Sequence, residues 1–171
     1  ESDKDIKDFF LLALYTGARR GNLQAMKWSQ VDLDQGVWTI PGEESKNRES
    51  MKVILAPPVI ELLSSRKGNP AADSEYVFPS RQKKSKTPHL VEPRKAWARI
   101  CKAADLHDLR IHDLRRTLGS WQAASGSSLH VIGKSLGHKN QATTAIYSQL
   151  DLDPVRASVN AAVDEMLKQK D

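Results

Sequence analysis

The chain has 171 residues, 39% of them hydrophobic, which suits one domain with a buried core and argues against intrinsic disorder. A net charge of +5 permits a polyanionic partner without requiring one, and a single cysteine, Cys101, excludes an internal disulfide framework. No apolar run approaches the roughly 18 residues of a membrane span and the opening ESDKDIKDFF has no signal pattern, so a cytoplasmic chain with no membrane association is expected; starting at Glu1 without Met suggests a fragment or a processed chain.

In chain order, Ile6, Phe9, Phe10, Ala13 and Leu14 recur at helical spacing and stop at Thr16-Gly17, which predicts a first amphipathic helix. A second, short helix should carry Leu23 and Met26. The segment VDLDQGVWTI has two apolar runs around Asp34-Gln35-Gly36 and reads as a hairpin, with MKVIL at 51–55 as a third strand and PGEESKNRES as an exposed turn between them. Pro57-Pro58 open a helix at VIELL. After YVF comes RQKKSK at 81–86, a basic loop that by default is simply solvated. Trp97, Ile100, Cys101 and Ala104 form another helical stripe. A helix with Leu114, Leu118 and Trp121 then runs to Ser125-Gly126, followed by two shorter helices near 128–136 and 141–148. Asp153-Pro154 cap a last helix, 153–169, with Val155, Val159, Ala162, Val163, Met166 and Leu167 on one face. The expected fold is α+β and mostly helical, with a small three-stranded antiparallel sheet packed at one edge. Trp97 and Trp121 read as core residues.

Within this layout the tetrapeptide His-Asp-Leu-Arg occurs twice, at 107–110 and 112–115. Five residues turn a helix by roughly 500°, so the copies cannot share one helix face. The first falls in a connection, whereas the second leads into the Leu114/Leu118/Trp121 helix and sets His112 and Arg115 on one face at i and i+3. An isolated H-x-x-R is most simply a surface histidine and a salt-bridging arginine. Corroboration has to come from elsewhere in the chain.

Three further motifs supply it: Thr16-Gly17-Ala18-Arg19, Leu136-Gly137-His138, and Tyr147 nine residues after His138. In this order, with the hairpin between, the set resembles the catalytic domain of the tyrosine recombinases, also called phage-type integrases, over roughly residues 5–150. The resemblance implies a catalytic domain spanning 1–171 without the family's N-terminal DNA-binding domains, acting on double-stranded DNA, as a homotetramer on DNA when full length. It implies Arg19, Lys46, His112, Arg115, His138 and Tyr147 as catalytic residues, and Asp153 onward as the family's C-terminal helix. Family spacing selects Arg19 over Arg20. It places the family lysine at Lys46, in the turn between the second and third strands, with Lys52 as a nearby competitor. One departure is Asn22, where the family often has an acidic residue three positions after the first arginine.

The implied chemistry accounts for these residue types. Tyr147 attacks phosphorus and retains the 3′ phosphate as an ester, so bond energy is conserved and neither a metal nor another cofactor is expected. Arg19 and Arg115 are planar, permanently charged donors suited to the non-bridging oxygens. His138 donates a further hydrogen bond to the phosphate and His112 is the candidate general base for the tyrosine proton. Lys46 is the candidate acid for the 5′ oxygen. The implied function is site-specific recombination, in integration or excision of a mobile element. Two alternatives stay open at this point: cleavage and resealing like a type IB topoisomerase, and a noncatalytic DNA-binding module. A metal hydrolase fits poorly, since the five histidines match no zinc spacing.

Overall fold

The computed structural model describes residues 3–44, 48–68, 74–80, 85–138, 141–147, 159–160 and 163. Lys46, most of the basic loop and nearly all of the expected 153–169 helix lie outside the described residues; Val159, Asn160 and Val163 are helical. The chain divides into two units, Glu1–Leu118 and Gly119–Asp171.

In the first unit the apolar spacing at the start of the chain forms α1 (Asp3–Thr16). The short helix α2 (Arg20–Gln24) follows, ending before Met26, which is nevertheless fully buried. The hairpin pairs β1 (Val31–Asp32) with β2 (Val37–Ile40), and β2 pairs with β3 (Met51–Ile54), in the antiparallel order β1-β2-β3. Its turn has the expected chemistry: Gln35 N–H donates to Asp32 Oδ1 at 2.9 Å, and Gly36 sits at φ 61°, a left-handed conformation that costs glycine little. Register sets Trp38 opposite Val53 and Ile40 opposite Met51, so the alternation along β2 turns Trp38 and Ile40 inward.

Helix α3 (Pro57–Lys67) starts at the proline pair and buries Val59 and Leu63. These side chains join Phe9, Leu12, Leu23, Met26, Trp38 and Phe78 in one core. Each such burial is worth about 1.5–3 kcal/mol. Phe9 meets Phe78 edge to face at 5.3 Å. Arg66, near the end of α3, ties the helices together: its Nη1 donates to Asp8 at 2.7 Å, its Nη2 to the Val77 carbonyl at 3.0 Å, and its guanidinium lies 4.6 Å from the Phe78 ring centre.

Helix α4 (Pro93–Ala103) buries Pro93, Ala96 and Cys101. The predicted stripe is only partly right, since Ile100 and Ala104 are exposed. Trp97 is a core residue as expected, 4.8 Å from the Phe10 ring, and its Nε1–H donates to the Leu109 carbonyl at 2.8 Å. That bond anchors the connection leading into α5 (Ile111–Ala124), which runs through the unit boundary.

The second unit holds the end of α5, then α6 (Leu129–Leu136), which buries Ile132, Gly133 and Leu136. Ser135 donates to Gln122 Oε1 at 2.9 Å, fixing α6 against α5 within this unit. Two corrections fall here. Trp121 is 69% exposed, although Leu114 packs half-buried against the core and Leu118 is half-buried: the fully buried positions of α5 are Arg115, Gly119 and Ala123, four apart. The helix expected near 141–148 is instead two 3-10 turns, Gln141–Thr143 and Ala145–Tyr147.

Candidate active site

The first unit holds Arg19, His112 and Arg115. At the end of α1, Thr16 Oγ1 donates to the Leu12 carbonyl at 2.6 Å and accepts from Ala18 N–H at 3.2 Å, so one hydroxyl closes the helix and shapes the chain beyond it. Gly17 is left-handed at φ 58° and its N–H donates to the Ala13 carbonyl. The chain is thereby reversed. Arg19 follows in extended conformation, half-buried, with its carbonyl accepting from Leu23 N–H at 3.1 Å. Arg20 is exposed. Helix α2 is held by buried Gln24, whose Nε2 donates to the carbonyls of Leu90 and Val91 at 2.9 and 2.7 Å.

The repeated tetrapeptide separates cleanly. In the first copy His107 is largely exposed and meets Asp105 at 3.2 Å, while Asp108 takes a left-handed φ of 57°; this stretch is a turn. In the second copy Asp113 starts the helix: its Oδ2 accepts from Arg110 N–H at 2.8 Å, and its own N–H donates to the Arg110 carbonyl at 2.9 Å. Asp113 Oδ1 also accepts from Arg116 at 3.0 Å. With the first turn fixed, Arg115 points inward and is only 5% exposed. Its Nη1 donates to the Gly17 carbonyl at 2.6 Å, joining two motifs 98 residues apart. One guanidinium edge is thus held by backbone. A guanidinium carries five donors in a fixed planar fork, the geometry that matches phosphate oxygens.

His112 is exposed, but its ring is partly screened from water. That desolvation, followed by the positive charges of Arg115, Arg116 and Arg19, pushes its pKa below the ordinary 6.5 against the opposing pull of Asp113. The imidazole is therefore neutral at neutral pH, as a proton acceptor must be. A cleft of about 1120 Å³ is lined by Arg20, Arg94, Lys102, Arg110, His112 and Arg115, with Asp105 and Asp108 also on its wall. Its cationic side chains suit an anionic ligand.

The second unit holds His138 and Tyr147. Helix α6 begins at Ser128, whose hydroxyl caps Val131 N–H, and ends at Gly137 with φ 63° and ψ 47°. His138 N–H donates back to the Gly133 carbonyl at 2.9 Å, so the Leu-Gly-His motif is a left-handed helix stop that delivers the histidine. Tyr147 is 5% exposed and its phenol end closely approaches Gly119 of α5: a Cβ built at Gly119 would fall 2.5 Å from its Cζ and 2.7 Å from its Oη. Only glycine allows that pose.

Lys52 is exposed on β3, opposite Thr39; Lys46 lies outside the described residues. Among the described residues no group of three or more His, Cys, Asp or Glu could hold a metal ion, and no helix is long and apolar enough to cross a membrane. Gly119 and Thr144 are supports that neither the apolar spacing nor the motifs point to. Gly119 alone left a usable signal, as a glycine inside a helical pattern where alanine would be favoured by about 0.5–1 kcal/mol.

A family model described as the phage integrase family matches residues 2–153. The integrase of Salmonella phage P22 is 29% identical over 159 residues, covering 88% of this chain and 40% of that protein. Tyrosine recombinase XerC of Xanthomonas axonopodis pv. citri (strain 306) is 27% identical over 167 residues, 96% of this chain and 54% of that protein. Among solved structures, XerA recombinase matches with a TM-score of 0.68 at 25% identity, over 94% of this chain and 57% of that one. XerH, solved bound to its difH substrate, shares the fold with a TM-score of 0.69 at 22% identity, over 93% of this chain and 48% of that one. The chain spans about half the length of such relatives. With the family match covering residues 2–153, which include both arginine motifs, the Leu-Gly-His stop and the tyrosine, the chain belongs to the phage integrase family.

Proposed function

We propose that this chain is the catalytic part of a site-specific DNA recombinase that cuts and rejoins strands through a 3′-phosphotyrosyl intermediate, in integration or excision of a mobile element. The observation that carries the reading is the Arg115–Gly17 bond, which builds the two arginine motifs into one structure in a chain of this family. Tyr147 Oη attacks phosphorus, forming the P–O(tyrosine) bond as the bond to the 5′ oxygen breaks. His112 takes the tyrosine proton, and Lys46 gives a proton to the departing 5′ oxygen. Arg19, Arg115 and His138 support the charge on the non-bridging oxygens. A 5′ hydroxyl from a second duplex reverses the step, so no external energy source enters. The substrate is double-stranded DNA. The complete protein acts as a homotetramer spanning two sites.

A nicked suicide duplex tests this reading. The unaltered chain should form a denaturant-resistant covalent adduct, and Tyr147→Phe should form none while binding the duplex with the same salt-dependent affinity. An adduct that survives Tyr147→Phe would remove the nucleophile. Supercoil relaxation without strand exchange by the full-length protein would shift the assignment to a resealing topoisomerase.

A further inference from the structure

Thr144 is 1% exposed, with no part in the chemistry assigned above, yet it bonds the His138 side chain and the backbone of Tyr147. Its Oγ1 lies 3.0 Å from His138 Nδ1, and its carbonyl accepts from Tyr147 N–H at 3.0 Å. The fit is tight. A Cβ at Gly133 would come within 3.1 Å of that hydroxyl, so the glycine in α6 leaves the space in which Thr144 Oγ1 sits.

The direction of the Thr144–His138 bond decides which histidine nitrogen carries the proton. A hydroxyl has one donor and two acceptor sites. If Nδ1–H donated to Oγ1, the buried hydroxyl proton would need another acceptor, and an unmet buried donor is destabilising. If the hydroxyl donates to Nδ1, only lone pairs are left over, which is the cheaper outcome. In the neutral ring the proton then sits on Nε2. We infer that Thr144 is a positioning residue that holds His138 in the Nε2–H tautomer, so that this N–H is the donor offered to the scissile phosphate. The inference rests on the phosphate-binding role proposed for His138 and goes beyond it by naming what orients that donor.

The test uses the whole chain and single-turnover adduct formation on the suicide duplex, with Thr144→Val, Thr144→Ser and His138→Ala. Thr144→Val keeps the side-chain shape without the hydroxyl and should slow cleavage about tenfold, whereas Thr144→Ser should stay within about threefold of the unaltered rate. In a His138→Ala background, Thr144→Val should have no further effect. Equal slowing by valine with and without His138 would overturn the inference, because Thr144 would then act through Tyr147 or the fold. So would a serine variant as slow as valine. Should Thr144→Val not fold, ¹⁵N NMR of the unaltered chain decides: an unprotonated Nδ1 in the neutral His138 ring supports the inference and an Nδ1–H refutes it. A His138→Ala chain that cleaves normally sinks the role of His138 itself. A slow His138→Ala with a normal Thr144→Val sinks only the positioning by Thr144.

Discussion

Arg115 holds the Gly17 carbonyl and, under the proposed function, also supports charge on the scissile phosphate, and two substitutions separate these roles. Arg115→Ala leaves the Gly17 carbonyl, to which Nη1 now donates at 2.6 Å, without this partner in a place where the arginine itself is only 5% exposed. An unmet buried polar group costs about 1–3 kcal/mol. Taking about 2 kcal/mol, and roughly 2–4 °C per kcal/mol for a chain of this size, Tm should fall by about 4–8 °C. The chemical loss is separate: removing one preorganised donor from a developing oxyanion costs about 10²–10³-fold. Arg115→Lys keeps the charge and one flexible donor, which can serve the Gly17 carbonyl or a phosphate oxygen but lacks the planar fork. It should recover most of the Tm and little of the rate. Thermal melts and single-turnover adduct formation, at a temperature well below both midpoints, read the two effects independently. Lysine restoring cleavage to within about threefold would refute the fork argument, and an unchanged Tm in Arg115→Ala would refute the structural role of the Gly17 bond.

Three further outcomes are expected. Arg110→Ala should form adduct within about threefold of the unaltered rate, since the part Arg110 plays in starting α5 is made by its backbone N–H and carbonyl; an essential Arg110 would mean that the first tetrapeptide copy is the functional one. Because the pKa of His112 is held below 6.5, the adduct rate should be flat above that pH and fall on acidification with a midpoint below it, an acid limb that His112→Gln should lack. Stability should follow the same sign: between the folded pKa and 6.5 the unfolded chain binds more protons, so the His112 contribution is intact above 6.5 and is lost as pH falls, a loss His112→Gln should also escape. For Lys46, the 5′ leaving oxygen has a conjugate acid near that of water, about 15.7, whereas a bridging sulfur leaves as a thiolate with a pKa of about 8.5 and needs no acid. Lys46→Ala should therefore be very slow on normal DNA and nearly normal on the sulfur-bridged substrate, with Arg115→Ala slow on both; failure of sulfur to rescue Lys46→Ala would refute its role as the acid.

Where local chemistry alone dictates the backbone, the sequence was sufficient. Thr16-Gly17 stops α1 because a hydroxyl and a left-handed glycine satisfy the helix end, and Asp34-Gln35-Gly36 reverses the hairpin for similar reasons. Pro57 opens α3 at a position where its missing N–H costs nothing, and Gly137 closes α6. What the sequence could not carry is the partner of a side chain far along the chain. Nothing in Thr16-Gly17-Ala18-Arg19 says that the glycine carbonyl receives Arg115, and nothing around Gln24 announces the carbonyls of Leu90 and Val91. The 141–147 segment failed for a different reason. Its apolar residues are too few to tell a helix from paired 3-10 turns, and the bond from Thr144 to His138 is a tertiary one.

The largest misreading, α5, is also the most informative. Apolar periodicity assigned the inward face to Leu114, Leu118 and Trp121, yet Trp121 is exposed and the buried positions carry an arginine, a glycine and an alanine. A helix selected only for stability would not bury Arg115, since a desolvated guanidinium has to be met by acceptors, nor place Gly119 in its interior at a cost of about 0.5–1 kcal/mol. Each departure has a compensating contact: the Gly17 carbonyl for the arginine, and the close approach of the Tyr147 ring for the glycine. Sequences ordinarily agree at every level, from propensity to packing, and conflict is concentrated where function requires it. On that argument the proposed function depends on Arg115 and Gly119, the positions of α5 that break the hydrophobic pattern. It also predicts where tolerance lies: Trp121→Ser should leave both stability and cleavage close to normal, whereas Gly119→Val, a smaller change in polarity, should displace Tyr147 and abolish adduct formation while DNA binding persists. A cleavage-competent Gly119→Val would show that the packed pose of the tyrosine has no bearing on its chemistry.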